Sequence, residues 1–156
     1  MATDPSTWKL PRLRIDRDGL WYHEDAEVTH EGILASLREG LLRDADGHYL
    51  QIGPVRVPVE VDDAPLVVIR VEVDGDGLAV ILNDDTREPL RPETLRLGSG
   101  EVPYATVKDG RFQARFNRAA AYQLLQRLED DPGGGSPALV LGSRRWVIPR
   151  VALGPP

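Results

Sequence analysis

Apolar and polar positions alternate through much of this chain, and two segments replace that alternation with helical spacing. Val55, Val57, Val59 and Val61 are separated by Arg56, Pro58 and Glu60, the period of two that a strand with one covered face requires. Pro58 has no N–H to give a ladder, which predicts an edge or bulged position. The β-branched, mostly apolar run 66–73 predicts a central strand. Asp74-Gly75-Asp76-Gly77 predicts a hairpin connection to a strand over 78–82. In 111–116, Phe112, Ala114 and Phe116 point one way and Arg111, Gln113 and Arg115 the other. Shorter strands are expected at 48–52, 95–97, 102–107, 138–141 and 145–151. Residues 1–13 and 83–94, polar and proline-containing, read as irregular.

The first helical segment places Ile33, Leu34, Leu37, Leu41 and Leu42 on one face, with Thr29 as cap, Glu31 in the first turn and Gly40 weakening the end. In the second, Asn117 caps a face of Ala120, Ala121, Leu124, Leu125 and Leu128, and Asp130-Asp131-Pro132 with the run 133–136 ends it. Two stretches run in parallel from Asp18-Gly19 and Asp109-Gly110: turn, aromatic strand, helix, Gly-rich turn, short strand ending in Gly, second strand. Gly19 to Gly53 spans 34 residues and Gly110 to Gly142 spans 32, so Trp21 corresponds to Phe112 and Ile52-Gly53 to Leu141-Gly142. Two copies are too few for a solenoid array. The expected fold class is α+β: two related strand–helix–strand units around a mixed, mainly antiparallel sheet. The expected divisions are a lead at 1–15, a first unit at 16–74, bridging strands and loops at 75–107, a second unit at 108–151 and a tail at 152–156.

At 156 residues the chain is long enough for one real core. The absence of cysteine excludes disulfides and thiolate chemistry. No stretch approaches the roughly 20 apolar residues that span a bilayer, and the opening MATDPSTWKLPRL has no apolar core of a signal peptide, so a cytoplasmic location is expected. The net charge is −6, split as −8 over residues 1–78 and +2 over 79–156. Such a balance argues against nucleic acid and against an anionic membrane surface. The bases of the second half gather at Lys108, Arg111, Arg115, Arg118 and Arg127. Seventeen arginines against two lysines is the ratio a GC-rich genome produces without any function.

The stretches DGLWYHEDAEVTHEGILASLREGLLRDADGHYLQIG, IGPVRVPVEVDDAPLVVIRVEV and VPYATVKDGRFQARFNRAAAYQLL resemble the signature segments of the bacterial family called domain of unknown function 1285. Order and spacing agree over about 16–128. Gly53-Pro54 stands where members tend to have Thr-Pro, and Leu66 where an aromatic is usual. The resemblance implies an α+β fold with repeated structural motifs. It implies no established reaction; a role in signal transduction has been suggested for the family.

No constellation of residues announces catalysis. His23, His30 and His48 lack metal-ligand spacing, and Leu78 stands where a calcium loop starting at Asp74 needs a third ligand. No cofactor or metal is expected. Ser99 and Ser143 lack the flanks of a nucleophile elbow, and the run 133–136 follows a helix and lacks the lysine of a phosphate loop. Glu60, Asp62 and Asp63 can share acid–base work if burial separates them, which leaves a small acid–base enzyme as an alternative. The strongest candidate site is Arg111, Arg115 and Arg118: two on one strand face, the third opening a helix whose N–H groups also favour an anion. The expected function is a regulatory or binding module for an anionic small molecule or an acidic protein partner. An interaction subunit pairing through a sheet edge is the third reading, RNA binding ranks last, and a homodimer is left open.

Overall fold

The computed structural model describes residues 10–152; residues 1–9 of the lead expected at 1–15 and residues 153–156 of the tail expected at 152–156 lie outside the described residues. The chain divides into two compact units between Asp62 and Asp63.

In the first unit, β1 (Leu13–Ile15), β2 (Trp21–His23) and β3 (Ala26–Glu27) form a meander. After α1 (Glu31–Gly40), β4 (Leu41–Asp44), β5 (Gly47–Ile52) and β6 (Val55–Val61) form another. The six strands lie in the order β3-β2-β1-β6-β5-β4, antiparallel throughout except for the central parallel pair β1–β6. Leu13, Ile15, Trp21, Leu50, Val57 and Val59 are buried by the alternation read from the sequence.

Two expectations need correction here. Pro58 lies on a central strand. Hydrogen-bonded pairs alternate down the β5–β6 hairpin, leaving Pro58 opposite Tyr49 at a non-hydrogen-bonded site. On the other side β1 begins only at Leu13, opposite Val59. The missing N–H therefore faces a place where no partner strand runs. The first helix, in turn, is shorter than its apolar spacing suggested. His30, not Thr29, is its cap, Nδ1 accepting from the Ile33 N–H at 3.2 Å. The helix stops at Gly40, and Leu41 and Leu42 enter β4, where alternation buries Leu41 and exposes Leu42. No residue of α1 is fully buried, and Ile33 keeps 51% of its surface exposed.

The second unit carries β7 (Leu66–Asp74), β8 (Gly77–Leu82) and β9 (Arg87–Pro89), then β10 (Arg96–Leu97), β11 (Pro103–Val107) and β12 (Phe112–Phe116). Their order is β10-β11-β12-β7-β8-β9, with β12 and β7 the parallel pair. Both sheets are thus two meanders joined by pairing the first strand of one with the last strand of the other. The β9 strand and a 3-10 turn at Pro92–Thr94 occupy the segment expected to be loop. The sheet repeat runs from β1–β6 to β7–β12, a different phase from the one the Asp-Gly turns suggested. Trp21 on β2 and Phe112 on β12 hold different places in their sheets, and 75–107 supplies strands of the second sheet.

After β12, Asn117 caps α2 (Arg118–Leu125), its Oδ1 accepting from the Ala120 N–H at 2.8 Å. The helix buries Ala120 and Leu124. The β7–β8 register shifts between Val68 and Arg70, and beyond the shift the Val71 N–H donates to Gln123 Oε1 of α2 at 2.8 Å. A small sheet of β13 (Leu128–Glu129), β14 (Ala138–Leu141) and β15 (Arg144–Val147) follows. The chain after β15 joins β10, with Leu97 bonded to Pro149 and Val151.

Candidate functional site

The alternation of β12 is as read: Phe112, Ala114 and Phe116 are buried while Arg115 is half-buried and Arg111 exposed. The three expected arginines, however, have different employments. Arg115 faces Tyr104 across the β11–β12 ladder and donates to Asp63 Oδ2 at 2.9 Å. The Asp63 side chain is 4% exposed and also accepts from the Tyr104 hydroxyl, at 2.7 Å and 2.9 Å to its two oxygens. Burial, with the hydrogen bond and charge of Asp63 added, pushes the Tyr104 hydroxyl well above the usual phenol range. Arg111 Nε donates to the Lys108 carbonyl at 3.1 Å. Arg118 is exposed at the first residue of α2. Arg111 stands in the turn before β12 and Arg118 at the start of α2, while Arg115 between them in sequence is already paired with Asp63.

The carboxylates behave alike. Glu60 lies 3.7 Å from Arg12, Asp62 accepts from Arg14 at 2.7 Å, and Asp63 is held by Arg115. Arg14 also stacks over Tyr22, its neighbour across the β1–β2 ladder. Each unit thus ties one of two adjacent aspartates to an arginine that faces a tyrosine. This is a structural use of the group the enzyme alternative needs. Lys108 is similarly spent, on Asp84 at 2.8 Å and Thr86 at 2.9 Å. Burial opposes the charge of Asp84, but the bonds from Lys108 and Thr86 outweigh it and lower its acidity range. His48 is half-buried and shifted down by that burial and by Arg43. Among the described residues no three His, Asp or Glu side chains gather to hold a metal, and no helix is long and apolar enough to cross a membrane.

The second unit also carries a concavity away from these ion pairs. The β7–β8 hairpin tip and the β14–β15 hairpin wall a groove of about 510 Å³. Tight two-residue turns build both walls: Asp74 pairs with Gly77 and Leu141 with Arg144, and Gly75 and Gly142 take the left-handed conformation at φ 58° and 62°. Val73, Leu78 and Val140 give the groove apolar surface, and Arg127, Arg144 and Ser143 give it polarity. Neither Arg127 nor Arg144 joins an ion pair among the described residues, and Arg144 stacks on Trp146, its guanidinium 4.7 Å from the ring centroid. Asp76 at the hairpin tip is the carboxylate among the lining residues. A second cavity of about 140 Å³ shares Val73, Leu78 and Arg127 with the first and adds Glu72, Gln123 and Gln126.

Sequence reasoning singled out Arg127 only as one of a cluster and missed Arg144. The groove joins 73–78 to 140–144, segments whose proximity no local pattern encodes. The available signals were the two glycine hairpins and the Arg144-Arg145 pair.

Comparisons with known proteins agree with this fold. Residues 3–64 match the family model described as Domain of unknown function (DUF1285), N-terminal domain. No curated protein matches the chain. The crystal structure of a DUF1285 family protein from Silicibacter pomeroyi DSS-3 is similar at a TM-score of 0.71 and 22% identity, covering 94% of this chain and 86% of that one. One from Shewanella baltica OS155 is similar at a TM-score of 0.61 and 22% identity, covering 74% of this chain and 91% of that one. Residues 3–64 are therefore similar to the DUF1285 N-terminal domain, and the chain has the mostly-β α+β fold of the DUF1285 family proteins from these two organisms.

Proposed function

We propose that this chain is a binding module for an anionic ligand, and that the ligand lies in the groove between the β7–β8 and β14–β15 hairpins. The observation that carries the reading is the pair Arg127 and Arg144, both lining one groove and both without a carboxylate partner among the described residues. Most other arginines near acids are spent on them, as Arg12, Arg14, Arg56, Arg87, Arg115 and Arg150 show. A guanidinium left unpaired beside apolar surface suits a carboxylate or phosphate through charge-assisted, bidentate bonds. The groove volume falls in the range of small-molecule sites. A regulatory, signal-receiving role and a cytoplasmic location belong to the same proposal, as does an acidic protein partner in place of a free anion. The face with Arg111 and Arg118 ranks second, because Arg115 is already held by Asp63.

The test is a thermal-shift panel of inorganic phosphate, sugar phosphates, nucleotides and di- and tricarboxylates on the full chain. A ligand at 100 times its dissociation constant stabilises by about 2.7 kcal/mol, which is several degrees for a chain of this size. The shift should vanish in Arg127→Gln/Arg144→Gln. An undiminished shift in that variant would place the ligand elsewhere.

A further inference from the structure

The two cavities share Val73, Leu78 and Arg127 in their linings, so they lie side by side, and a ligand reaching from one to the other along this trough meets two chemically different ends. At the wide end stand Arg127 and Arg144. At the narrow end stands Gln123, and its orientation is dictated by the fold. Val71 sits opposite Val80 at a non-hydrogen-bonded site of the β7–β8 ladder, so its N–H points away from β8, past the stretch Leu66–Val68 that pairs with β12, and Gln123 Oε1 accepts it at 2.8 Å. An oxygen fixed there places the other half of the amide, the Nε2 donor, away from Val71. No protein acceptor for that donor occurs among the described residues, and the side chain lines the narrow cavity. Glu72 lines the same cavity, but Arg70 at 3.0 Å and Arg87 at 3.3 Å neutralise it. The narrow end therefore offers a held donor in a site whose own carboxylate is already satisfied.

We infer that the trough takes an elongated, acceptor-rich anion, with one anionic group between Arg127 and Arg144 and a second oxygen acceptor on Gln123 Nε2. This rests on the anion reading of the groove and adds the ligand's length and its second contact. Gln123 and Arg127 are four residues apart along α2 and the turn that follows, a rise of about 6 Å. A linear diacid or a phosphate ester with a distal carboxylate or carbonyl spans that distance. A single small anion does not.

The structure also supplies a variant that separates ligand contact from scaffold. In Gln123→Glu one carboxylate oxygen still accepts from Val71, so that N–H stays satisfied, while the second replaces the donor with an acceptor and repels the ligand. Binding to the full chain would be measured calorimetrically for inorganic phosphate and for the series malonate, succinate, glutarate and adipate. Affinity should rise with length to a maximum at glutarate or adipate. Gln123→Glu should weaken the best diacid at least tenfold and phosphate no more than about threefold. Arg127→Gln/Arg144→Gln should abolish both. Affinity independent of chain length, or a best diacid that Gln123→Glu leaves unchanged, would overturn the two-point reading while leaving the anion groove standing. Affinity for every probe unaffected by the arginine changes, or no binding at all, would overturn both. The length series in the unaltered chain decides the matter even if Gln123→Glu folds poorly.

Discussion

Replacing Arg115 should unfold the second unit more readily, not merely strip a surface charge. Asp63 is 4% exposed, and its oxygens are occupied by Arg115 and the Tyr104 hydroxyl. Arg115→Gln leaves that carboxylate buried without its countercharge. Removing one partner of a fully buried pair costs about 3–5 kcal/mol. Arg115 itself keeps 20% exposure, and the Tyr104 bond survives, so water moderates the loss to about 2–3 kcal/mol. Asp63→Asn should cost less, because the Arg115 guanidinium is less buried than the Asp63 carboxylate and can turn toward solvent. The double variant should then recover part of the sum, giving a coupling energy of about 1–2 kcal/mol. Urea unfolding followed by far-ultraviolet circular dichroism, repeated for the two single variants and the double, measures each term. A cost below about 0.5 kcal/mol for Arg115→Gln, the range of ordinary surface changes, would refute the argument that this arginine is structural.

Other consequences are checked more simply. Gln123→Leu should destabilise by about 1–3 kcal/mol, because the Val71 N–H loses its acceptor, whereas Gln123→Glu should stay near the parent in the same urea experiment. Ile33→Ser should cost less than about 1 kcal/mol, because α1 buries none of its residues, while Trp21→Ala in the first core should cost about 3–5 kcal/mol. The hydrogen bonds from Arg56 hold the Asp44 carboxyl down at about 2. A carboxyl depressed on folding stabilises above its unfolded value of about 3.9 and loses that contribution as pH falls toward the folded one. Asp44→Asn should therefore lower stability near neutrality, where the carboxylate contributes fully, and converge with the parent as pH falls from about 4 to about 2, which flattens the acid limb.

Most strands were legible because period-two burial is a local property: Val55, Val57 and Val59 on β6 and Phe112, Ala114 and Phe116 on β12 are buried as the alternation predicts. What escaped was whatever depends on neighbours in space. Pro58 reads as an edge residue until β1 is seen to begin one residue too late to need its N–H. Leu41 and Leu42 fit a helical face by spacing, but pairing with β5 claims them for β4. The β1 strand is only Leu13–Ile15, too short to announce itself beside Pro11. The parallel pairs β1–β6 and β7–β12 join segments far apart in sequence, so the phase of the duplication is invisible to a turn-based alignment. The candidate site follows the same logic. Clustering of bases along β12 and α2 was visible, but Asp63, 52 residues before Arg115, had already claimed one of them. Arg127 and Arg144 become neighbours of one groove only through the small third sheet.

The most direct test of the account is a nitrogen-15 NMR titration of the full chain with inorganic phosphate and glutarate. The account predicts shifts confined to Gly75, Gly77, Arg127, Gly142, Ser143 and Arg144, extending to Gln123 with glutarate and absent in Arg127→Gln/Arg144→Gln. Shifts centred instead on Arg111 and Arg118, or no saturable shift with either anion, would contradict it.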